Sequence, residues 1–187
     1  MKIQLFETHV YGEHCMLELM TFSKSDGKKW KKVFDSWREL KMSMRDYQSR
    51  EPNLPEGLSE VAFCLWSGSG RYLSVDHLSN KSFDTFNLKT RRAEQIKASS
   101  IEYDLTSFGP KSKWDDLYFL DFYNEGKVDG RFDIYKISSD LIYKHKVNKT
   151  QTLKDQQGEK RRPRFSIKKD IVIPNKIKPI ATHVKVW

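Results

Sequence analysis

Apolar positions follow two different periods along this chain, helical before about residue 70 and strand-like after it. Between residues 8 and 22, Val10, His14, Leu17 and Thr21 recur at helical spacing, and Cys15, Leu19 and Phe22 widen the stripe, which predicts a first helix. Residues 26–48 repeat the pattern over a longer stretch. Trp30, Val33, Phe34, Trp37, Leu40, Met44 and Tyr47 fall on one side, with Asp26 placed as N-cap. Pro52 and Pro55 break that helix, and a third is expected at about 56–66, closed by Ser67-Gly68-Ser69-Gly70. The period then shortens. Residues 71–75, 82–87, 92–99, 116–123 and 130–137 are short, aromatic or β-branched, and separated by turn chemistry. Among those turns, Asn124-Glu125-Gly126 and Asp129-Gly130 supply positive-φ positions. Residues 138–156 drift back toward helix behind Ser138, Ser139 and Asp140, and the end is mixed. The pattern predicts one α/β domain over 1–187: 1–70 mainly helical, 71–137 a central sheet, 138–187 a closing helix-and-strand region.

Composition changes this picture at the C-terminal end. Residues 144–187 hold 13 Lys and Arg against 3 Asp and Glu, a net +10, while the rest of the chain nets −1 of the total +9. Such asymmetry suits a polyanion held at one end of the molecule. The plainer alternative is a solvated basic tail, although Phe165, Ile167, Ile171, Val172, Ile173 and Ile180 give the segment something to pack. An aromatic share of 13% argues for an ordered core despite a mean hydropathy of −0.72. No apolar run approaches the roughly 18 residues that span a bilayer, and the N-terminus lacks the apolar segment of a signal peptide. Cys15 and Cys64 are isolated and the five histidines, His9, His14, His77, His145 and His183, are dispersed. A reduced, cytoplasmic chain without structural zinc is expected.

The candidate chemistry lies in the sheet region. Asp84 ends one apolar stretch, ten residues follow, and then comes Gln95-Ile96-Lys97. In a strand Gln95 and Lys97 point the same way while Ile96 points into the core. If the two segments pair as a hairpin, a carboxylate, an amide oxygen and an ammonium converge. Metal-assisted phosphodiester hydrolysis uses that set: oxygen ligands for Mg²⁺, and a cation to orient water and offset developing charge. The bland alternative is a solvent-facing strand with scattered polar residues. Against it, Asp84 sits between Phe83 and Phe86, where an unpaired carboxylate is costly, and Glu60 on the preceding helix is placed to bring a second carboxylate. Glu94 is a minor alternative to Gln95, one position off and facing the other side unless a bulge turns it. Otherwise it reads as a surface charge paired with Arg91 or Arg92.

Phe83-Asp84 with Gln95-Ile96-Lys97 resembles the PD-(D/E)xK nuclease signature, and Glu60 resembles the extra acid that many restriction enzymes carry on the helix before the core sheet. The stretch 53–97, then 104–110, 114–121 and 161–167, is similar to a small group of type II restriction endonucleases that cut GCNGC. Two positions depart from the signature. Phe83 replaces its proline and Gln95 its second acid, so the site is one negative charge short and Glu60 is expected to supply it. The resemblance implies a restriction-endonuclease-like core with a mixed sheet flanked by helices. It implies Mg²⁺ held by Asp84, Gln95, the Ile96 carbonyl and Glu60, with Lys97 positioning the attacking water. It also implies a double-stranded DNA substrate, a homodimer matching the palindrome, and a cognate methyltransferase protecting a bacterial host. The N-terminal helices are the expected dimer interface. Lys160, Arg161, Arg162 and Arg164 form the densest basic cluster, suited to guanine edges or phosphates, and Ser107, Lys111, Ser112 and Lys113 are placed near the scissile phosphate. Two other readings stay open: a repair or junction nuclease with the same core, and a non-catalytic DNA-binding regulator.

Overall fold

A computed structural model describes residues 1–73 and 82–187. Strand β1 (Lys2–Val10) and strand β2 (Glu13–Thr21) form a hairpin joined by Tyr11 and Gly12. Both turn residues have positive φ, 55° and 85°, the geometry of a two-residue turn matched to strand twist. This overturns the helix expected over 8–22, and with it the mainly helical character of 1–70. Cys15, Leu17 and Leu19 alternate inward on one face, a period of two that the helical stripe had absorbed.

Helix α1 (Asp26–Asp46) follows, capped at Ser25 without a side-chain bond, so Asp26 lies inside the first turn rather than at the cap. Its carboxylate instead accepts the Ser23 N–H at 2.9 Å and the N-terminal ammonium at 2.6 Å. Trp30, Phe34 and Trp37 make the buried seam, while Val33, Leu40 and Tyr47, expected beside them, face solvent. Helix α2 (Glu56–Ser67) ends as anticipated on Gly68, whose φ of 78° closes it.

The chain then builds a sheet from β3 (Gly70–Tyr72), β4 (Thr85–Asn87), β5 (Arg92–Ser99), β7 (Asp116–Asp121), β8 (Phe132–Ile137) and β10 (Ala181–Val184), while β6 (Thr106–Ser107) and β9 (Arg164–Phe165) pair separately. The expected strand at 71–75 is described only as far as residue 73, and its last residues, like His77, lie outside the described part. The eight-stranded order is β1-β2-β3-β4-β5-β7-β8-β10, antiparallel except for the central parallel pair β5–β7. Along β7 the faces alternate. Tyr118 and Leu120 join Trp30, Phe34 and Phe63 under the two helices. Leu117 and Phe119 join Phe108, Phe165 and Ile171 on the opposite face. The mixed sheet covered by helices is that of a restriction-endonuclease-like α/β core.

The helix drift expected over 138–156 resolves into two short helices, α3 (Ser139–Tyr143) and α4 (Leu153–Gly158), the latter opened by a Thr152–Asp155 capping box. The basic tail is not merely solvated: Phe165, Ile167, Ile171 and Val172 are buried. No helix among the described residues is long and apolar enough to cross a membrane.

Candidate active site

Strand β4 pairs with β5 only from Asn87↔Arg92 to Thr85↔Glu94, with the Asp84 N–H donating to the Glu94 carbonyl at 3.0 Å. Past that point the β5 edge is open, and the Asp84 carboxylate occupies it. Its Oδ2 accepts the Ile96 N–H at 2.7 Å and a hydrogen bond from the Gln95 side-chain amide. The hairpin thus brings Asp84 and the Gln-x-Lys triplet together as the sequence spacing implied.

Gln95 and Lys97 share the face of Leu117 and Phe119, their neighbours on β7, while Ile96 turns under the helices with Tyr118. The other amide atom, Gln95 Oε1, is buried without a hydrogen-bond partner among the described residues. A buried acceptor left open costs of order 1–3 kcal/mol, so this oxygen is available to a cation or a donor. Lys97 has no ion pair among the described residues; its ammonium lies 5.6 Å from the centre of the Phe108 ring. Burial pushes the Asp84 carboxyl up to about 7, against the pull of Lys97; Glu60 and Glu56 add to the rise.

Glu60 stands on the second turn of α2, buried, and its Oε2 receives the Arg71 Nε at 2.6 Å. Burial raises its pKa and Arg71 opposes the rise. In this structure Arg71 is therefore the counter-ion of the carboxylate expected to serve a metal. Among the described residues, no three His, Cys, Asp or Glu side chains gather closely enough to hold a metal ion. The oxygen set around Asp84 contains an amide, and its nearby acid is engaged.

Glu94 corrects the expectation of a surface charge. It is 1% exposed and faces α2, bound by Thr85 Oγ1 at 2.8 Å and Asn87 Nδ2 at 3.2 Å. Arg92 pairs with Asp116 at 2.6 Å instead.

Ile96 and Lys97 also line a cleft of about 530 Å³, bounded by the α1–α2 loop and the start of α2 on one side and by β6 and β9 on the other. Of the basic and loop residues singled out in the sequence, Ser107 and Arg164 line this cleft; Lys160, Arg161, Arg162, Lys111 and Lys113 do not. Arg161 is engaged by Glu159 at 3.1 Å. Lys111 and Lys113 belong to a loop tied to Ser82, and the Lys113 ammonium sits 4.1 Å from the centre of the Tyr11 ring.

Sequence reasoning missed Arg71, Arg50, Glu56 and Asp104. Glu56 carried a signal, since it precedes Glu60 by one helical turn. Arg50 and Arg71 carried none, because their relevance arises only when distant elements meet.

Residues 22–174 match the profile described as Bsp6I restriction endonuclease. The chain is 37% identical over 153 residues to the type II restriction enzyme Bsp6I of Bacillus sp. strain RFL6, covering 80% of this chain and 83% of that protein. No solved structure matches the chain.

Proposed function

Because the chain belongs to the Bsp6I restriction endonuclease family, the sequence-specific nucleases that cut double-stranded DNA, we propose that Asp84, Gln95 and Lys97 form its hydrolytic centre and that GCNGC is its target. One observation carries the site reading. At the open edge of β5, a carboxylate, a buried amide oxygen and an ammonium converge, the last two without a hydrogen-bond partner or an ion pair, respectively, among the described residues.

The residues fit a divalent cation, Mg²⁺ above all. Asp84 and Gln95 Oε1 would hold it together with the Ile96 carbonyl, and Glu60 would support it once exchanged from Arg71. When bound, such an ion neutralises phosphate charge and acidifies water. The chain's own contributions are these. Lys97 holds the attacking water and offsets charge that builds on the phosphorus-bound oxygens. Its cleft admits the phosphodiester, and Phe108 backs the ammonium. Water attacks phosphorus, a new P–O bond forms, and the bond to the 3′ oxygen breaks, leaving a 5′-phosphate and a 3′-hydroxyl.

The single domain works as a homodimer, since a palindrome presents the same half-site to each copy. It acts in a bacterial cytoplasm, where a cognate methyltransferase protects host DNA. The basic cluster Lys160, Arg161, Arg162 and Arg164, together with Ser107, Lys111 and Lys113, contacts the duplex outside the hydrolytic centre.

Purified protein incubated with unmethylated plasmid in Mg²⁺, and in EDTA as control, tests the activity, with fragment ends sequenced. Discrete Mg²⁺-dependent fragments ending within GCNGC are expected. Ends at another palindrome would replace the target, and cutting only at branches or nicks would replace the substrate class. Lys97→Ala tests the site: cleavage is expected to fall by at least 10³-fold with duplex binding retained, and undiminished cutting would remove Lys97 from the centre.

A further inference from the structure

Three cations border the cleft beside the hydrolytic centre: Lys97 from β5, Arg164 from β9, and Arg50 from the α1–α2 loop. We propose that Arg50 is a DNA-backbone contact which, with Arg164 across the cleft, grips the strand whose phosphate meets Lys97. The inference rests on the site reading above and adds a residue to it.

The loop that carries Arg50 is fixed at several points. Trp37 Nε1 donates to the Asn53 carbonyl at 3.0 Å, which ties the loop to the helix core three residues beyond Arg50. Glu51 is held from two directions. The Lys41 ammonium, only 3% exposed, reaches it at 3.3 Å, and Arg45 forks onto the same carboxylate through Nε and a second nitrogen at 3.2 Å. Lys41 in turn contacts Ser100 Oγ at 3.3 Å, at the end of β5. The loop is thereby fastened both to α1 and to the strand that carries Lys97.

Burying a lysine is costly unless it is paired, and the partner of buried Lys41 is Glu51, next to Arg50 in the chain. Glu51 already serves two cations, so the neighbouring acid does not capture the Arg50 guanidinium. Among the described residues Arg50 and Arg164 have no ion pair. Glu56 and Asp104 also line the cleft, leaving three cations against two carboxylates. Two guanidinium groups from separate elements and an ammonium, all lining one cleft, are donors suited to backbone phosphates. A phosphate contact positions the strand and carries no sequence information.

The test measures affinity by fluorescence anisotropy for a GCNGC duplex and for a scrambled duplex, in Ca²⁺, across a salt series. Arg50→Ala is expected to weaken both duplexes about 5–20-fold at 0.1 M salt and to make the slope of log K against log salt shallower by about 1. Arg50→Lys is expected to keep the wild-type slope. An unchanged slope in Arg50→Ala overturns the proposal, and so does a loss confined to the GCNGC duplex, which would make Arg50 a base reader. Arg50 is exposed, and an unchanged melting temperature verifies that the variant folds. Lys97→Ala assayed alongside separates the two claims: if it still cuts, the site reading fails whatever the Arg50 slope shows.

Discussion

Asp84 pays for its position in stability, and that cost can be measured. A carboxyl held at about 7 in the folded chain, against an ordinary value of 3.8, keeps a proton between those two values that the unfolded chain releases. Stability therefore falls as pH rises through that window and is lowest above it. In metal-free protein in EDTA, unfolding at pH 8 is expected to cost less free energy than at pH 5, with Asp84 contributing on the order of 2–4 kcal/mol of the difference. Asp84→Asn has no proton to lose, so it should abolish cleavage, flatten this slope and raise the melting temperature at pH 8 by roughly 5–15 °C. A wild-type slope retained in Asp84→Asn would assign the pH dependence elsewhere. Glu60 belongs to the same scale. With Arg71 as its partner, Glu60→Gln should leave an unbalanced guanidinium beside the centre and reduce cleavage, and Arg71→Gln should reduce stability more than duplex binding. The Asp84–Gln95–Lys97 set was legible because a short hairpin joins its members, so sequence distance nearly equals spatial distance. Arg71, Arg50 and the buried Glu94 were not, because their environments are made by elements far away in the chain.

Elements were legible where one period had no rival. Helix α2 and strand β5 fall where expected, bounded by Gly68 and by the turn before Arg92. The β1–β2 hairpin did not, since over a dozen residues a helical stripe and a broken alternation share most of their positions. The Tyr11-Gly12 turn that decides between them is only two residues long. The C-terminal end shows the opposite effect, with packing imposed from a distance. Trp187 stacks on Trp30 with ring centres 5.9 Å apart, and a Cβ built on Gly27 would lie 1.8 Å from the Val186 carbonyl oxygen. Glycine at the first turn of α1 thus serves close approach, whatever its poor helix propensity. Gly27→Ala, which raises propensity, should nevertheless destabilise the protein by about 1–3 kcal/mol as the last residues are pushed off α1. Thermal unfolding checks this, and an equal or higher melting temperature would mean the tail repacks freely.

At the scale of the whole molecule, the sheet constrains where a second copy can sit. Strand β1 is an open edge, and Ile3 and Leu5 on it are 58% and 60% exposed, so pairing β1 with its copy is the obvious way to build a dimer. Spacing argues against it. From β5 to the β1 edge there are four strand intervals, and nine would separate the two β5 strands, roughly 40 Å at about 4.8 Å each. Facing phosphates on opposite strands of a duplex lie across grooves only about 6 and 12 Å wide. Two hydrolytic centres joined through β1 would stand too far apart to cut both strands of one short site. The twofold axis of the proposed dimer is expected nearer the cleft, where Lys97, Arg50 and Arg164 gather. Of the three N-terminal helices anticipated from the sequence as the interface, the first is this hairpin, and α1 and α2 remain for it. Leu5→Lys should therefore leave the molar mass by light scattering unchanged, and plasmid should still go to linear product without accumulating nicked circles. A switch to monomers, with nicked circles as the main product, would put the interface on the hairpin and require the sheet to curl far more strongly than the strand spacing allows.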